Sequence, residues 1–170
     1  PLRELVVVDF SEGVSGPFCS MTLGDLGARI IKVEPPGGDW SRSLEPCGSE
    51  DAAVFLALNR NKESIVLDLM CDAGLAVADA LVAEADIVVC DEHSRSGLKD
   101  EYARWSAHDP GLIYGLVTPF GEHGPWAGRV ASELVVQAAS GYPRYLGTPD
   151  NEPVRIGADV AGTMGGVFLL

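Results

Sequence analysis

Residues 5–34, LVVVDFSEGVSGPFCSMTLGDLGARIIKVE, decide the fold. LVVVDF, Leu5 to Phe10, is a short Val-rich run with no polar alternation, as expected of a strand buried on both faces. SEGVSGP follows as a loop, and Pro17 suits the first turn of a helix. That helix is expected through PFCSMTLGDLGA, with Phe18, Met21, Thr22 and Leu26 on one face, and Gly27 ends it. ARIIKVE is then a second strand. Strand, helix and strand at this spacing make a βαβ unit, whose two strands must run parallel.

The pattern continues outward from this unit. Pro35 to Asp51 is rich in Pro, Gly and Asp and reads as a loop at the surface or over a ligand. SIVLDL, Ser64 to Leu69, is a third strand, CDAGLAVADALVAEA an amphipathic helix and DIVVCD a fourth strand. HSRSGLKDEYARWSAHDPG is polar and helical in its middle, stopped by Pro110 and Gly111. LIYGLVTPF supplies a fifth strand, GEHGPWAG a loop, SELVVQAASG a short helix and YPRYLGTPDNEP a long turn. The expected class is α/β, a Rossmann-like open parallel sheet with helices on both faces. Leu5–Phe10, Arg29–Glu34, Ser64–Leu69 and Asp86–Cys90 should pair within it. Residues 1–170 read as one unit. Pro1 at the start and Leu170 inside an apolar helical run suggest part of a longer protein.

Composition limits the partners. The chain carries 12 basic and 25 acidic residues, a formal charge of −13. That field repels phosphates, so neither nucleic acid nor an anionic membrane surface is an expected partner. Hydrophobic residues make up 46%, enough for a substantial core. No apolar run approaches the ~20 residues of a membrane span, and no secretory segment opens the chain. The four cysteines, Cys19, Cys47, Cys71 and Cys90, form no CxxC pair and have no His cluster beside them. No metal site is expected, and a reduced, cytoplasmic setting with Cys19 and Cys90 in the core fits best.

In open parallel sheets, ligands bind in the loops that follow the strands. These are Ser11 to Pro17, Glu34 to Ser43, Asp91 to Ser96 and Phe120 to Gly128. None holds a GxGxxG or a P-loop. His93, His108 and His123 lie in polar segments and read as surface residues. Asp9 closes the first strand beside Ser11, and a loop-anchoring role is favoured over that of a catalytic acid. Asn59 to Lys62 is either a solvated turn or a source of cationic donors, Arg60 or Lys62, for a phosphate. Near the end, VRIGADVAGTMGGVFLL (154–170) places Asp159 before an apolar, glycine-rich run expected to be a buried helix. Asp159 there is either an N-cap or a carboxylate nucleophile.

Taken in order, DFSEGVSGPFCSMTLGDLGARIIKVEPPGGDWSR, FLALNRNKESIVLDL, ADIVV, GLIYGLVTPFGEHGPWAG, LVVQAASG and PVRIGADVAG resemble the class III coenzyme A transferases. That superfamily includes formyl-CoA and carnitine CoA-transferases and 2-methylacyl-CoA racemases. The resemblance covers essentially the whole chain but only the N-terminal part of the family's protein, about half of it. It implies a Rossmann-like large domain, a second smaller domain and an interlocked homodimer. It also implies an acyl-CoA and a carboxylic acid as substrates, with no tightly bound cofactor. The acid of the family's G-x-x-D segment is the nucleophile, which is Asp159 here, and Leu67, Asp68 and Leu69 match a segment lying along the coenzyme A. The expected activity is transfer of CoA between carboxylic acids through an aspartyl-CoA thioester. Backbone N–H groups near the helix start and in the glycine loops are expected to hold the oxyanions.

The chain departs from the family at several places. DEHSRSG, 91–97, is acidic where the family has an Asn-Phe-Arg-Pro-Gly type loop. Glu12 and Val14 stand beside the expected thioester, and Pro35 stands where an Arg often meets the nucleotide. New carboxylates near an anionic coenzyme weaken its binding. A degenerate, non-catalytic domain acting in assembly is therefore one alternative. A racemase-like enzyme is another. It is disfavoured because Ser132, followed by Glu133, occupies the place of the racemases' histidine and lacks an activating base.

Overall fold

A computed structural model of the chain describes residues 1–44, 52–92, 94, 98, 101–146, 148, 150 and 152–170. Five strands, β1 (Val6–Asp9), β2 (Arg29–Glu34), β3 (Lys62–Val66), β4 (Ile87–Asp91) and β5 (Ile113–Val117), form one sheet in the order β3-β2-β1-β4-β5. All four pairings are parallel. The helices are α1 (Ser15–Asp25), α2 (Ala53–Leu58), α3 (Asp72–Val82), α4 (Glu101–His108), α5 (Glu133–Ser140) and α6 (Val160–Leu169). The chain builds outward from β1 to β3, then returns to lay β4 on the other side of β1. Loops after β1 and β4 therefore diverge and open a crevice at the carboxyl edge.

Alternate strand residues face opposite ways, and both faces are covered. Val7, Ile30 and Val89 pack with Cys19 and Leu23 of α1 and Leu169 of α6. Val8, Val33, Val88 and Cys90 pack on the other face with Ala78 and Val82 of α3 and Trp105 of α4. Val7, Val8 and Val88 are fully excluded from solvent, which explains the unbroken apolar run of the central strands.

β2 matches its expected bounds, and β1 and β4 differ from theirs by a residue or so. β3 is the larger correction. It begins at Lys62, pairing with Ile30, and ends with Val66 opposite Glu34, not at Leu69. Its Lys62 and Ser64 side chains bond buried carboxylates, so an apolar-run reading starts too late. The buried surface of α1 also differs. Gly16, Pro17, Cys19, Ser20, Met21 and Leu23 are buried, whereas Leu26 is 42% exposed. The reason is that α1 lies between the sheet and α6 and buries two sides. Gly27, at φ +108°, ends α1 as expected.

α6 is less buried than its composition suggests. Gly166 alone is fully enclosed, because a Cβ there would meet the Ser15 carbonyl and Phe18. The glycines let α6 lie closely on the start of α1. Its opposite face leaves Phe168 88% exposed. Cys19 and Cys90 are buried thiols and Cys71 is exposed, while Cys47 lies outside the described residues. Among the described residues no helix is long and apolar enough to cross a membrane.

Candidate active site

The crevice holds a pocket of about 620 Å³. Its walls are Glu12, Val14 and Ser15 after β1, Trp40 after β2, Asp91 and Glu92 after β4, and Val117 to Pro119 after β5. The starts of α5 and α6 close it with Ser132, Glu133 and Asp159. Three of the four expected loops thus meet here. Phe120–Gly128 adds nothing to the walls, and Phe120 packs edge-on against Trp126 instead.

Asp159 occupies the N-cap position of α6, yet its side chain caps nothing. The helix donors go elsewhere. Ala161 N–H donates to Glu133 Oε1 at 2.7 Å and Gly162 N–H to Glu133 Oε2 at 2.9 Å. Val160 N–H bonds to the Ala158 carbonyl. Glu133 is held in turn by Gln137, whose amide donates to Oε1 at 2.8 Å while its own Oε1 accepts the Ile156 N–H. A helix N-terminus favours a negative partner for its free N–H groups. Glu133 supplies it, and the half-buried Asp159 carboxylate is left to the pocket. The capping reading of Asp159 is therefore overturned, and the Ala161 and Gly162 N–H groups are already occupied and do not form an oxyanion site.

The loop after β1 is similarly spoken for. Three successive backbone N–H groups each donate to a carboxylate from a different strand or loop. Ser11 donates to Asp9 at 3.0 Å, Glu12 to Asp91 at 2.8 Å and Gly13 to Asp39 at 3.1 Å. Asp91 is also bonded by the Ser94 N–H at 2.8 Å, so it is a structural acid. His93 and residues 95–97 of that loop lie outside the described residues.

Beneath this loop runs a buried ionic layer. Lys32, central in β2, ion-pairs with Asp39 at 2.9 Å and donates to the Ser11 carbonyl at 2.7 Å. Lys62 pairs with Asp9 at 3.0 Å, and Ser11 and Ser20 hydroxyls donate to the same carboxylate. Burial alone would raise the Asp9 carboxyl; Lys62, Lys32 and the two hydroxyls outweigh it and hold it at about 2. Glu34 behaves alike. Burial is overcome by Arg42 at 2.7 Å, Ser64 at 2.6 Å and the Asp39 N–H, which bring it to about 2. Asp9 is thus the anchor expected. Lys62 is a correction, being neither solvated nor available to a phosphate, and Arg60 is bound to Asp25.

Trp40 is the pocket residue that the sequence reading passed over. Asp39 accepts from Ser41 N–H and Oγ at 2.8 and 2.7 Å and so starts the tight turn Trp40–Ser43. Gly13, at φ +77°, lies against the indole, and a Cβ there would fall within the ring. Asp39 and Ser41 are fully buried, although their loop reads as surface. The available signal was Lys32 and Glu34 inside an otherwise apolar strand, since a buried charge demands a partner.

Leu67, Asp68 and Leu69 follow β3, at the edge of the sheet, and none lines the pocket of Asp159. Leu67 N–H bonds to the Glu34 carbonyl, and Asp68 accepts the Met70 N–H at 2.9 Å. His108 and His123 are exposed. Ser132 sits in the pocket wall before α5. Among the described residues no cluster of ligating side chains fits a metal ion.

Comparison with known proteins agrees with this fold. The family model described as CoA-transferase family III matches residues 2–170. The acetyl-CoA:oxalate CoA-transferase of Acetobacter aceti is 38% identical over 175 residues, 99% of this chain and 44% of that protein. The succinyl-CoA:glutarate CoA-transferase of Mus musculus is 34% identical over 174 residues, 99% of this chain and 39% of that protein. A CAIB/BAIF family protein from Brucella suis superposes with a TM-score of 0.91 at 37% identity, over 99% of this chain and 46% of its own. The chain spans less than half the length of these relatives. With a parallel α/β sheet and a family match over nearly its full length, this chain belongs to CoA-transferase family III.

Proposed function

We propose that residues 1–170 are the N-terminal, nucleophile-bearing part of the large domain of an enzyme that moves coenzyme A between carboxylic acids. The observation that carries this reading is the Asp159 carboxylate, placed at the helix start but relieved of capping by Glu133 and turned over to the pocket.

In the proposed reaction an Asp159 oxygen attacks the carbonyl of the donor thioester. The tetrahedral adduct collapses with loss of the CoA thiolate and leaves a mixed anhydride. The thiolate attacks the Asp159 carbonyl, expels the donor acid as its carboxylate and forms the aspartyl-CoA thioester. The acceptor carboxylate then attacks that thioester carbonyl, the thiolate leaves and re-attacks the acceptor carbonyl, and Asp159 is released. Splitting the exchange in this way replaces one difficult displacement by easier acyl transfers. Because the Ser11, Glu12, Gly13, Ala161 and Gly162 N–H groups are engaged, other donors hold the oxyanions.

Leu67, Asp68 and Leu69 are proposed to lie along the coenzyme at a distance from the reacting centre. Their place after β3, on the carboxyl edge shared with the pocket, supports that reading for a long ligand. Ser132 beside Asp159 gives no proton-exchanging partner, which favours transferase over racemase chemistry. The strongly exposed Phe168, Val130 and Tyr145 support a homodimer in which further protein covers such side chains.

Mass spectrometry of the full-length protein after incubation with an acyl-CoA tests the chemistry. A CoA adduct on the peptide bearing Asp159 is expected, and an adduct on another residue, or none, defeats the assignment. Absence of racemisation, read as deuterium exchange at the α-carbon of a 2-methylacyl-CoA, is the companion result.

A further inference from the structure

The pocket contains an aromatic surface that the exchange chemistry does not use. Trp40 is 42% exposed and forms a wall of the pocket, so a large apolar ring faces the space in which an acyl group must sit. The ring is not there by default. Its backbone N–H is held by Glu12 Oε2 at 3.2 Å, its turn is started by Asp39, and Asp39 is tied to Lys32 in the sheet. Gly13 adopts a left-handed conformation and presents no side chain where the indole lies. A side chain fixed in this way loses little freedom when a ligand packs on it. The remaining apolar wall comes from Val14, Val117, Pro119, Val130 and Val136.

Among the described lining residues, the charged groups of the pocket have one sign. Its described lining residues include Glu12, Asp91, Glu92, Glu133 and Asp159, and no Lys, Arg or His. A dicarboxylic acid bound through one carboxyl would bring its second carboxylate among these acids, where like charges repel and desolvation is costly. An apolar acyl group meets the indole and the valines without that cost.

We infer that Trp40 is a specificity-determining residue, and that the pocket selects monocarboxylic acids with an apolar acyl group over dicarboxylic acids. The inference rests on the CoA-transfer reading and names its substrate class. The full-length protein is assayed with hexanoyl-CoA and succinyl-CoA as donors, and free CoA binding is followed by calorimetry. The wild type is expected to show a higher kcat/KM for hexanoyl-CoA by about tenfold or more, the scale on which an apolar pocket discriminates. In Trp40→Ala the hexanoyl-to-succinyl ratio of kcat/KM should fall by about tenfold, with Trp40→Leu between the two and free CoA affinity retained. Preference for succinyl-CoA in the wild type overturns the inference alone. So does a Trp40→Ala variant in which both donors and free CoA weaken together, since that places Trp40 on the coenzyme or in the scaffold. Failure of the wild type to bind CoA or to turn over either thioester overturns the transfer reading, and this inference with it.

Discussion

At the start of α6, Glu133 makes the capping bonds that Asp159 does not. Glu133 neutralises the start of α6 with bonds of 2.7 and 2.9 Å, and Asp159 stays uncapping. Replacing Asp159 should therefore cost almost no stability whichever residue is used. Asp159→Asn and Asp159→Ala are expected to melt together, within a few tenths of a kcal/mol of wild type, while CoA transfer falls by several decades in both. A loss of stability in Asp159→Ala but not in Asp159→Asn would restore the capping role. The stability cost belongs at Glu133, where Ala should lose about 1–2 kcal/mol in thermal or denaturant unfolding. Gly13 is the second sensitive position. Gly13→Ala meets both the unfavourable φ of +77° and the Trp40 ring, so it should destabilise by more than about 1 kcal/mol and depress kcat/KM as the indole is displaced. An unperturbed Gly13→Ala enzyme would show that the ring is not held there.

Elements are joined at the pocket by charge as much as by apolar packing. Lys62 of β3 reaches Asp9 of β1 across β2, and Lys32 of β2 reaches Asp39 of the following loop. Each pair is sealed from water, so removing one partner leaves a buried, uncompensated charge. Asp9→Asn or Lys62→Met alone is expected to cost about 3–5 kcal/mol, or to prevent folding. The double change Asp9→Asn with Lys62→Met should cost distinctly less than the sum of the two. Strict additivity in that cycle, measured by urea unfolding, would mean that the pair is not coupled. Helix contact follows a different rule. α6 approaches α1 through Gly166, against the Ser15 carbonyl, and that contact sets where Asp159 stands relative to the β1 loop.

For the molecule as a whole, the buried carboxylates dictate acid sensitivity. Asp9 and Glu34 are each held at about 2 in the folded protein, well below their ordinary range. A depressed folded value means stability that is fully present above the unfolded value and is lost as pH falls toward the folded one. Asp9 alone contributes on the order of 2 kcal/mol in this way. Unfolding free energy should therefore be flat with respect to these two groups above about pH 5 and decline between about pH 5 and 2. Circular dichroism melts across that range check it, and a flat profile down to pH 2 would contradict the assigned pairing. Arg42 and Asp39 connect Glu34 to the loop carrying Trp40, so acid should disturb the pocket wall along with the fold.

The parallel α/β sheet was legible in the chain because strands buried on both faces leave unbroken apolar runs, as in VVVD and IVVCD. Gly27 ended α1 where a left-handed residue was required, and the family resemblance pointed to Asp159, which lines the pocket. Three other features needed the tertiary structure. The start of β3 was hidden because Lys62 and Ser64 bond Asp9 and Glu34, partners far away in sequence. The capping of α6 could not be read locally because Glu133 lies 28 residues from Ala161. Trp40 belonged to the pocket only once Asp39, Lys32 and Gly13 had converged beneath it. Periodicity records which face of an element is apolar. Which charged group meets which is a matter of long-range pairing, and only the folded sheet brings those residues within bonding distance.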